Sequence, residues 1–380
     1  MGPRRSQTFR NRRGLGSAPT CNTPQLSAKL RFMVTLKDIS RDVGLSITQV
    51  SRALGGHTDV NAATRERVQL AATRLGYRPN AIARSLKTGR SGIVAMIVAG
   101  SRDPDSNAHL FEIVMGLSAE ISALGLQFVL HVGQPGADVV KLHTELYRSG
   151  GIDGFVIIGP SPADQRIKCL TDLGAPFIVH GRDPEQPHPF VDIENFDVGR
   201  TMADHLLSLG HRRIAFLNGP LSEFFAIQRQ RGVDAAFAAH GLSVDPALMR
   251  SITMIEPQGR SAARDLLQLD SPPTAIIAGN TMIARGVYHA AADAGVSIPG
   301  DLSVLAHDDG LELFPAAGFE PPLGGTSAHL SAAWISLSAD LKQIIAASKT
   351  PMHNRILDLT FDKGSATQSI LVDRSMPVGP

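Results

Sequence analysis

Between residues 36 and 54 the chain reads LKDISRDVGLSITQVSRAL, and its apolar positions, Leu36, Ile39, Val43, Leu45, Val50, Ala53 and Leu54, recur at helical spacing. Lys37, Arg41, Thr48, Gln49 and Arg52 fall off that face. Thr35 with Asp38 predicts a capping box ahead of a first short helix, Ser46 is a favoured N-cap for a second, and Gly44 supplies the turn between them. Periodicity by itself favours an ordinary helical hairpin, but two short helices on a tight turn are also the layout that presents a helix to the DNA major groove. A third helix follows in NAATRERVQLAATRLGY, with Asn61 as N-cap, Val68, Leu70, Ala71 and Leu75 inward, and Gly76 at its C-terminal stop.

Beyond residue 91 short apolar runs alternate with amphipathic stretches. IVAMIVA at 93–99, LQFVLHV at 126–132, GFVIIG at 154–159 and PFIVH at 176–180 read as strands, and 110–124 and 139–149 as helices between them. A second series places strands at 213–219, 274–279 and 302–307. Strand and helix alternating throughout predicts parallel sheets covered on both faces, and two such series fit two doubly wound lobes with a cleft between them.

Charge sharpens this division. Residues 1–91 hold 17 Lys and Arg against 4 Asp and Glu, leaving 20 of the 37 basic and 31 of the 35 acidic residues for the rest of the chain. A basic head on an acidic body is the electrostatic arrangement of a nucleic-acid-binding domain joined to a different kind of domain. The two cysteines, Cys21 and Cys169, make neither a CxxC nor a metal-ligand spacing, so a disulfide framework and a structural zinc are not expected. No apolar run approaches membrane-spanning length, which predicts a soluble, cytoplasmic protein without membrane partners. Residues 1–34 are Arg-rich and lack both acids and a sustained apolar period, so they read as a disordered basic extension. No secretory h-region is present.

The stretch 36–54, the TRERV and LGY-x-PN motifs, the segment RPNAIARSLKTGRS at 78–91 and the LGHRRI motif within 191–220 together resemble the LacI/GalR family of bacterial transcription regulators. The resemblance implies a helix-turn-helix DNA-binding domain at 35–78, a hinge helix at 79–91, and a two-lobed, periplasmic-binding-protein-like effector and dimerisation body at 92–375. Heads of the family usually begin a few residues before VTLKD, which points to Met33 as the native start. By analogy the chain crosses between lobes near 189–194, near 308–319 and near the terminal QSILVDRS segment.

The resemblance also places residues on DNA. Ile47 and Thr48 occupy the positions that vary most with specificity, followed by Gln49, Ser51 and Arg52. Gln can pair with adenine and Arg with guanine through two hydrogen bonds, while Ile47 offers only apolar contact. For Arg52, base reading and a phosphate clamp stand equal. Thr35, Ser51, Asn61, Tyr77 and Asn80 are expected to position phosphates, Ala83 and Lys87 to touch DNA from the hinge, and Leu86 to act as a minor-groove wedge.

In the body, Arg229 aligns with the family's effector-binding arginine, whose guanidinium can grip two sugar hydroxyls or a carboxylate; Asn280 and Asp308 align with further contacts, and Met254 joins them. Where many relatives have SNPFF this chain has SNAHL, placing His109 and Leu110 where aromatic rings normally pack on the ligand. HGR at 180–182 replaces a commoner DR-containing segment, Thr281 an Asp, and Gly324 with Gly325 a TT pair. Asp308 lies in an adjacent acidic pair, but no supporting cluster suggests a metal, and an Asp accepting from paired hydroxyls fits better. The expected partners are double-stranded operator DNA, a small carbohydrate-like effector and a second copy of the chain in a homodimer, with no cofactor. A transporter's solute-binding protein would share the body but not the head. The chain has no P-loop, G-x-S-x-G or H-E-x-x-H to suggest an enzyme.

Overall fold

The computed structural model describes residues 34–77, 89–100, 107–347 and 353–370, with the side chains of 107–109 outside that description. It divides at residue 80 into two compact units. The N-terminal extension and most of the hinge, including Asn80, Ala83, Leu86 and Lys87, lie outside the described residues.

The first unit is built from α1 (Leu36–Val43), α2 (Ile47–Leu54) and α3 (Ala62–Leu75). Local sequence sets its boundaries. Asp38 accepts from the backbone N–H of Thr35 at 2.9 Å, and Gln49 accepts from that of Ser46 at 3.0 Å, so both short helices begin on reciprocal caps. Gly44 closes α1 at φ 65°, a left-handed conformation that a side chain would strain. Ile39, Val50, Ala53, Val68, Ala71 and Ala72 form a closed core. Leu70 departs from expectation: it is 65% exposed, and Ala72 takes the inward place. The inward stripe on α3 is 68, 71, 72 and 75, the three-and-four spacing of one helix face, whereas Leu70 stands only two residues from Val68 and falls on the other side.

The second unit contains two six-stranded sheets. The first consists of β1 (Ile93–Val98), β2 (Gln127–Val132), β3 (Gly154–Ile158), β4 (Phe177–His180), β5 (Phe190–Ile193) and β11 (Asn354–Leu357), all parallel, in the order β11-β5-β4-β3-β1-β2. The second consists of β6 (Ile214–Asn218), β7 (Met249–Ser251), β8 (Ala275–Ala278), β9 (Ser303–Asp308), β10 (Gly324–Ser327) and β12 (Thr360–Asp362), in the order β12-β10-β9-β8-β6-β7, with only β12 antiparallel.

Strand alternation explains the layers. Val94 and Met96 of β1 face α4 (Asn107–Ala123) and α11 (Leu330–Ala346), while Ala95 and Ile97 face α5 (Val139–Arg148) and α6 (Gln165–Asp172). In the second lobe Ala215 and Leu217 of β6 pack under α9 (Glu256–Leu267) and α10 (Thr281–Ala294). Ile214 and Phe216 pack under α7 (Asn195–Ser208) and α8 (Phe224–Ala239).

The chain passes between lobes after Ile193, as expected. The second and third passages differ: they fall between Ser327 and Leu330 and between Leu357 and Thr360. Two glycines open β10, and β11 and β12 are exposed edge strands, so none of these three has the apolar run that marks a buried strand.

Close helix packing positions the cleft side of the second lobe. A Cβ on Gly199 of α7 would stand 2.0 Å from the backbone oxygen of Arg229, and one on Gly232 of α8 would stand 2.0 Å from that of Phe196. Only glycine at both positions lets α7 and α8 touch backbone to backbone where Arg229 emerges. Gly199→Ala is therefore expected to destabilise the protein by about 1–3 kcal/mol through overpacking, measured as a lowered midpoint in urea denaturation with unchanged slope.

Candidate functional site

A cavity of about 370 Å³ lies between the two lobes, within the range of small-molecule sites. It sits at the carboxyl ends of the parallel strands, where loops replace sheet and backbone polar groups become available. One wall is apolar, with Met96, Val98, Leu110, Ile113 and Ile158. The other is polar and includes Asp192, Asn195, Glu223, Arg229, His307 and Asp309, with Phe225 and Met254 beside them.

Arg229 organises the polar wall. Its side chain is 4% exposed. Its Nε donates to Asn195 Oδ1 at 2.9 Å, Nη1 donates to the carbonyl of Gly279 at 2.7 Å, and its guanidinium carbon lies 5.0 Å from the centre of the Phe225 ring. Asn195 in turn donates to Asp192 Oδ1 at 3.1 Å, and Arg182 Nε donates to Asp192 Oδ2 at 2.7 Å. The chain of contacts from Arg182 through Asp192 and Asn195 to Arg229 thus spans the first passage between lobes. Burial pushes Asp192 up to about 6, against the opposing pull of the Arg182 charge. Burial also raises Glu223, with Arg166 opposing. His307 is fully buried, with Nδ1 3.0 Å from Thr326 Oγ1 and Nε2 3.2 Å from Asp309 Oδ1; burial and then the neighbouring Arg229 charge lower its affinity for a proton.

Of the six body residues expected at the effector, the structure brings Leu110, Arg229 and Met254 to the cavity. Asn280 is fully buried as the N-cap of α10, its Oδ1 accepting from Ile283 N at 2.9 Å and its Nδ2 donating to Met254 O at 3.3 Å, and it does not line the wall. Asp308 also stands off the wall and accepts from Gly310 N at 2.8 Å. His307 and Asp309 are two residues apart and reach the cavity together, whereas Asp308 between them has the opposite direction. The His109 side chain lies outside the described residues. Asp192, Asn195, Glu223, His307 and Asp309 were missed by sequence reasoning. Alternation along the end of β9 is the signal that would have separated Asp309 from Asp308.

The lobes are bridged on the cavity's margins. Phe224 N donates to Pro160 O at 3.0 Å, and the Glu112 carboxylate accepts from Glu312 N at 3.1 Å and Leu313 N at 3.0 Å. Among the described residues no group of three or more His, Cys, Asp or Glu is placed to hold a metal ion, and no helix is long and apolar enough to cross a membrane.

On the head, Ile47, Thr48, Gln49 and Arg52 are exposed along one side of α2, with Ser51 partly covered. Gln49 is already engaged in the Ser46 cap. Arg52 Nη2 lies 2.5 Å from Asp59 Oδ2, and this contact holds the Asp59 carboxyl below its ordinary range. Asn61 caps α3, accepting from Thr64 N at 2.7 Å, and Tyr77 packs against the head core. Thr35 is exposed at the start of α1.

A helix-turn-helix head joined in one chain to a two-lobed body with a polar cleft defines the class of ligand-responsive DNA-binding regulators. Residues 35–80 match the model described as bacterial regulatory proteins, lacI family, and residues 92–362 that described as periplasmic binding proteins and sugar binding domain of LacI family. The chain belongs to the LacI family and is a helix-turn-helix transcriptional regulator. It is 38% identical over 302 residues to the HTH-type transcriptional regulator AglR of Rhizobium meliloti (strain 1021), covering 79% of this chain and 85% of that one. Among solved structures it resembles a transcriptional regulator CelR–cellobiose complex at 26% identity and TM-score 0.63, covering 88% of this chain and 99% of that one. The lac repressor dimer bound to operator and the anti-inducer ONPF shares the fold at 23% identity and TM-score 0.73, with the same coverages.

Two outcomes are expected. Loss of the Asp192 charge as pH falls through about 6 removes a full acceptor from Asn195 and Arg182, so ligand affinity should fall between about pH 7 and 5, and Asp192→Asn should flatten that profile in calorimetric titrations. The sign for folding is the reverse: the folded carboxyl takes up its proton before the unfolded one does, so this residue's contribution to stability grows as pH falls. Weaker binding through Asp192 is thus separable from unfolding. On the head, Arg52→Ala is expected to weaken DNA binding by about 1–3 kcal/mol. Selective loss at one base pair in a binding-site library identifies base reading, and uniform loss with a shallower salt dependence identifies a phosphate clamp.

Proposed function

We propose that this regulator is a cytoplasmic homodimeric repressor whose hold on operator DNA is set by a small carbohydrate, or carbohydrate derivative, bound between the lobes. The observation that supports this most directly is Arg229. It is a buried guanidinium at the cavity wall, tied through Asn195 and Asp192 to the first passage between lobes. A ligand that engages Arg229 acts on groups that belong to both lobes and to their connection. Its differential affinity for two lobe angles then changes operator affinity by the same factor.

In this reading residues 35–78 form the DNA-binding domain, 79–91 the hinge and 92–375 the effector and dimerisation body. Ile47, Thr48, Gln49, Ser51 and Arg52 read or clamp DNA, with Thr35, Asn61, Tyr77 and the hinge residues Asn80, Ala83, Leu86 and Lys87 in support. Leu110, Met254 and Arg229 contact effector together with Asp192, Glu223, His307 and Asp309. His109 remains part of the proposed site, while Asn280 and Asp308 shape it through the Met254 and Gly310 backbone. Cellobiose in the related CelR complex supports a carbohydrate ligand.

The test is a thermal-shift screen of the purified protein against sugars, polyols and nucleosides, followed by operator release with each hit. Arg229→Ala is expected to abolish the response of DNA binding to the ligand while leaving ligand-free operator affinity within about twofold, given its distance in function from base contacts. An unchanged response removes Arg229 from the site.

A further inference from the structure

We propose that the cleft selects uncharged, polyhydroxylated ligands and excludes their phosphorylated or carboxylated counterparts. This rests on the reading of the cavity as the effector site, and it decides between the two groups, hydroxyl pair or carboxylate, that an arginine at position 229 can hold.

Among the described residues, three carboxylates, Asp192, Glu223 and Asp309, reach the cavity wall, against one guanidinium, that of Arg229. The cations that balance the first two stand behind the wall. Arg182 donates to Asp192, to the Glu194 carboxylate at 3.1 Å and to the carbonyl of Ile193, and Arg166 donates to Asp164 and to the carbonyls of Ile158 and Gly159. Neither lines the cavity. Arg229 itself is already offset by the fields of Asp309 and Asp192, and two of its donors are committed to Asn195 and Gly279. His307 is buried against Arg229, which disfavours a second positive charge there. His180, 4.8 Å from the Trp334 ring, and His329 are the other titratable wall residues among those described.

An anionic group entering this cavity would lose its hydration and meet carboxylates faster than cations. Hydroxyls lose far less hydration and meet no like charge, and each both donates and accepts: to Asp192, Glu223 and Asp309 as a donor, from Arg229 as an acceptor. The opposite wall of Met96, Val98, Leu110, Ile113 and Ile158 covers the C–H face of such a ligand. The ligand chemistry that satisfies both walls is a neutral molecule with a hydroxylated edge and an apolar face.

The experiment is calorimetric titration of the full-length protein at about pH 8, where ordinary histidines are neutral, with matched pairs that differ by one anionic group. Suitable pairs are glucose and glucose monophosphate, galactose and galacturonate, cellobiose and cellobionate, and adenosine and adenosine monophosphate. In any pair that binds, the neutral member is expected to be tighter by about tenfold or more. Asp309→Asn and, at a less buried position that leaves packing intact, Glu223→Gln are expected to shift the ratio toward the anion. An anionic member that binds as tightly as its neutral partner overturns the proposal, as does a ratio unmoved in both variants or a panel in which nothing binds. Binding of adenosine above its monophosphate, with no sugar bound, removes the carbohydrate reading and leaves charge selection standing.

Discussion

A buried guanidinium must be compensated, and the compensation of Arg229 shapes the centre of this molecule. An arginine removed from water without partners would be far costlier than the marginal stability of a domain can absorb. Here Asn195, the Gly279 carbonyl, the Phe225 ring and the nearby carboxylates of Asp309 and Asp192 surround it. Those partners come from the first passage between lobes, from the ends of strands in the second lobe, and from α8 itself. The requirement to satisfy one charge therefore ties together segments far apart in the chain. It also makes the cavity wall polar on one side only, because the first lobe contributes mainly aliphatic side chains.

The bridges from Phe224 to Pro160 and from Glu112 to the backbone of Glu312 and Leu313 belong to the same arrangement. They amount to one backbone hydrogen bond at Pro160 and an exposed pair at Glu112, each bond contributing on the order of 1 kcal/mol. Contacts of that strength can be exchanged for others when a ligand favours a different lobe angle. The large apolar layers within each lobe cannot, since opening them would expose core side chains. Motion is thereby directed to the junction.

The head obeys a different constraint. With three short helices it has a small core, and much of its precision comes from caps. The α2 cap and a neighbouring ion pair occupy groups that could otherwise touch DNA: Gln49 is turned toward Ser46, and Arg52 toward Asp59. An exposed ion pair such as Arg52 with Asp59 contributes little to stability. It holds the guanidinium in a defined place at small cost, from which a phosphate or a guanine can recruit it.

Sequence alone determined what depends on near neighbours and on period. Capping residues, Gly44 and the three-and-four spacing fixed the helices of the head, and the apolar runs marked four of the six strands of the first sheet and three of the six of the second, because each of these signals is local. Family motifs further pointed to Arg229. Local reasoning erred at Leu70, whose inward place is taken by Ala72, and it did not mark the glycine-led strand β10 or the exposed edge strands β11 and β12, which have no apolar run to announce them. The cavity was settled only by tertiary structure. Whether Asp308 or Asp309 faces it depends on the direction in which β9 ends, and whether Asn280 lines it depends on the fit of α10 beneath Met254. Asp192 becomes unusual only once the fold has buried it between Arg182 and Asn195, since a carboxylate's environment is made by partners that the linear chain leaves far away.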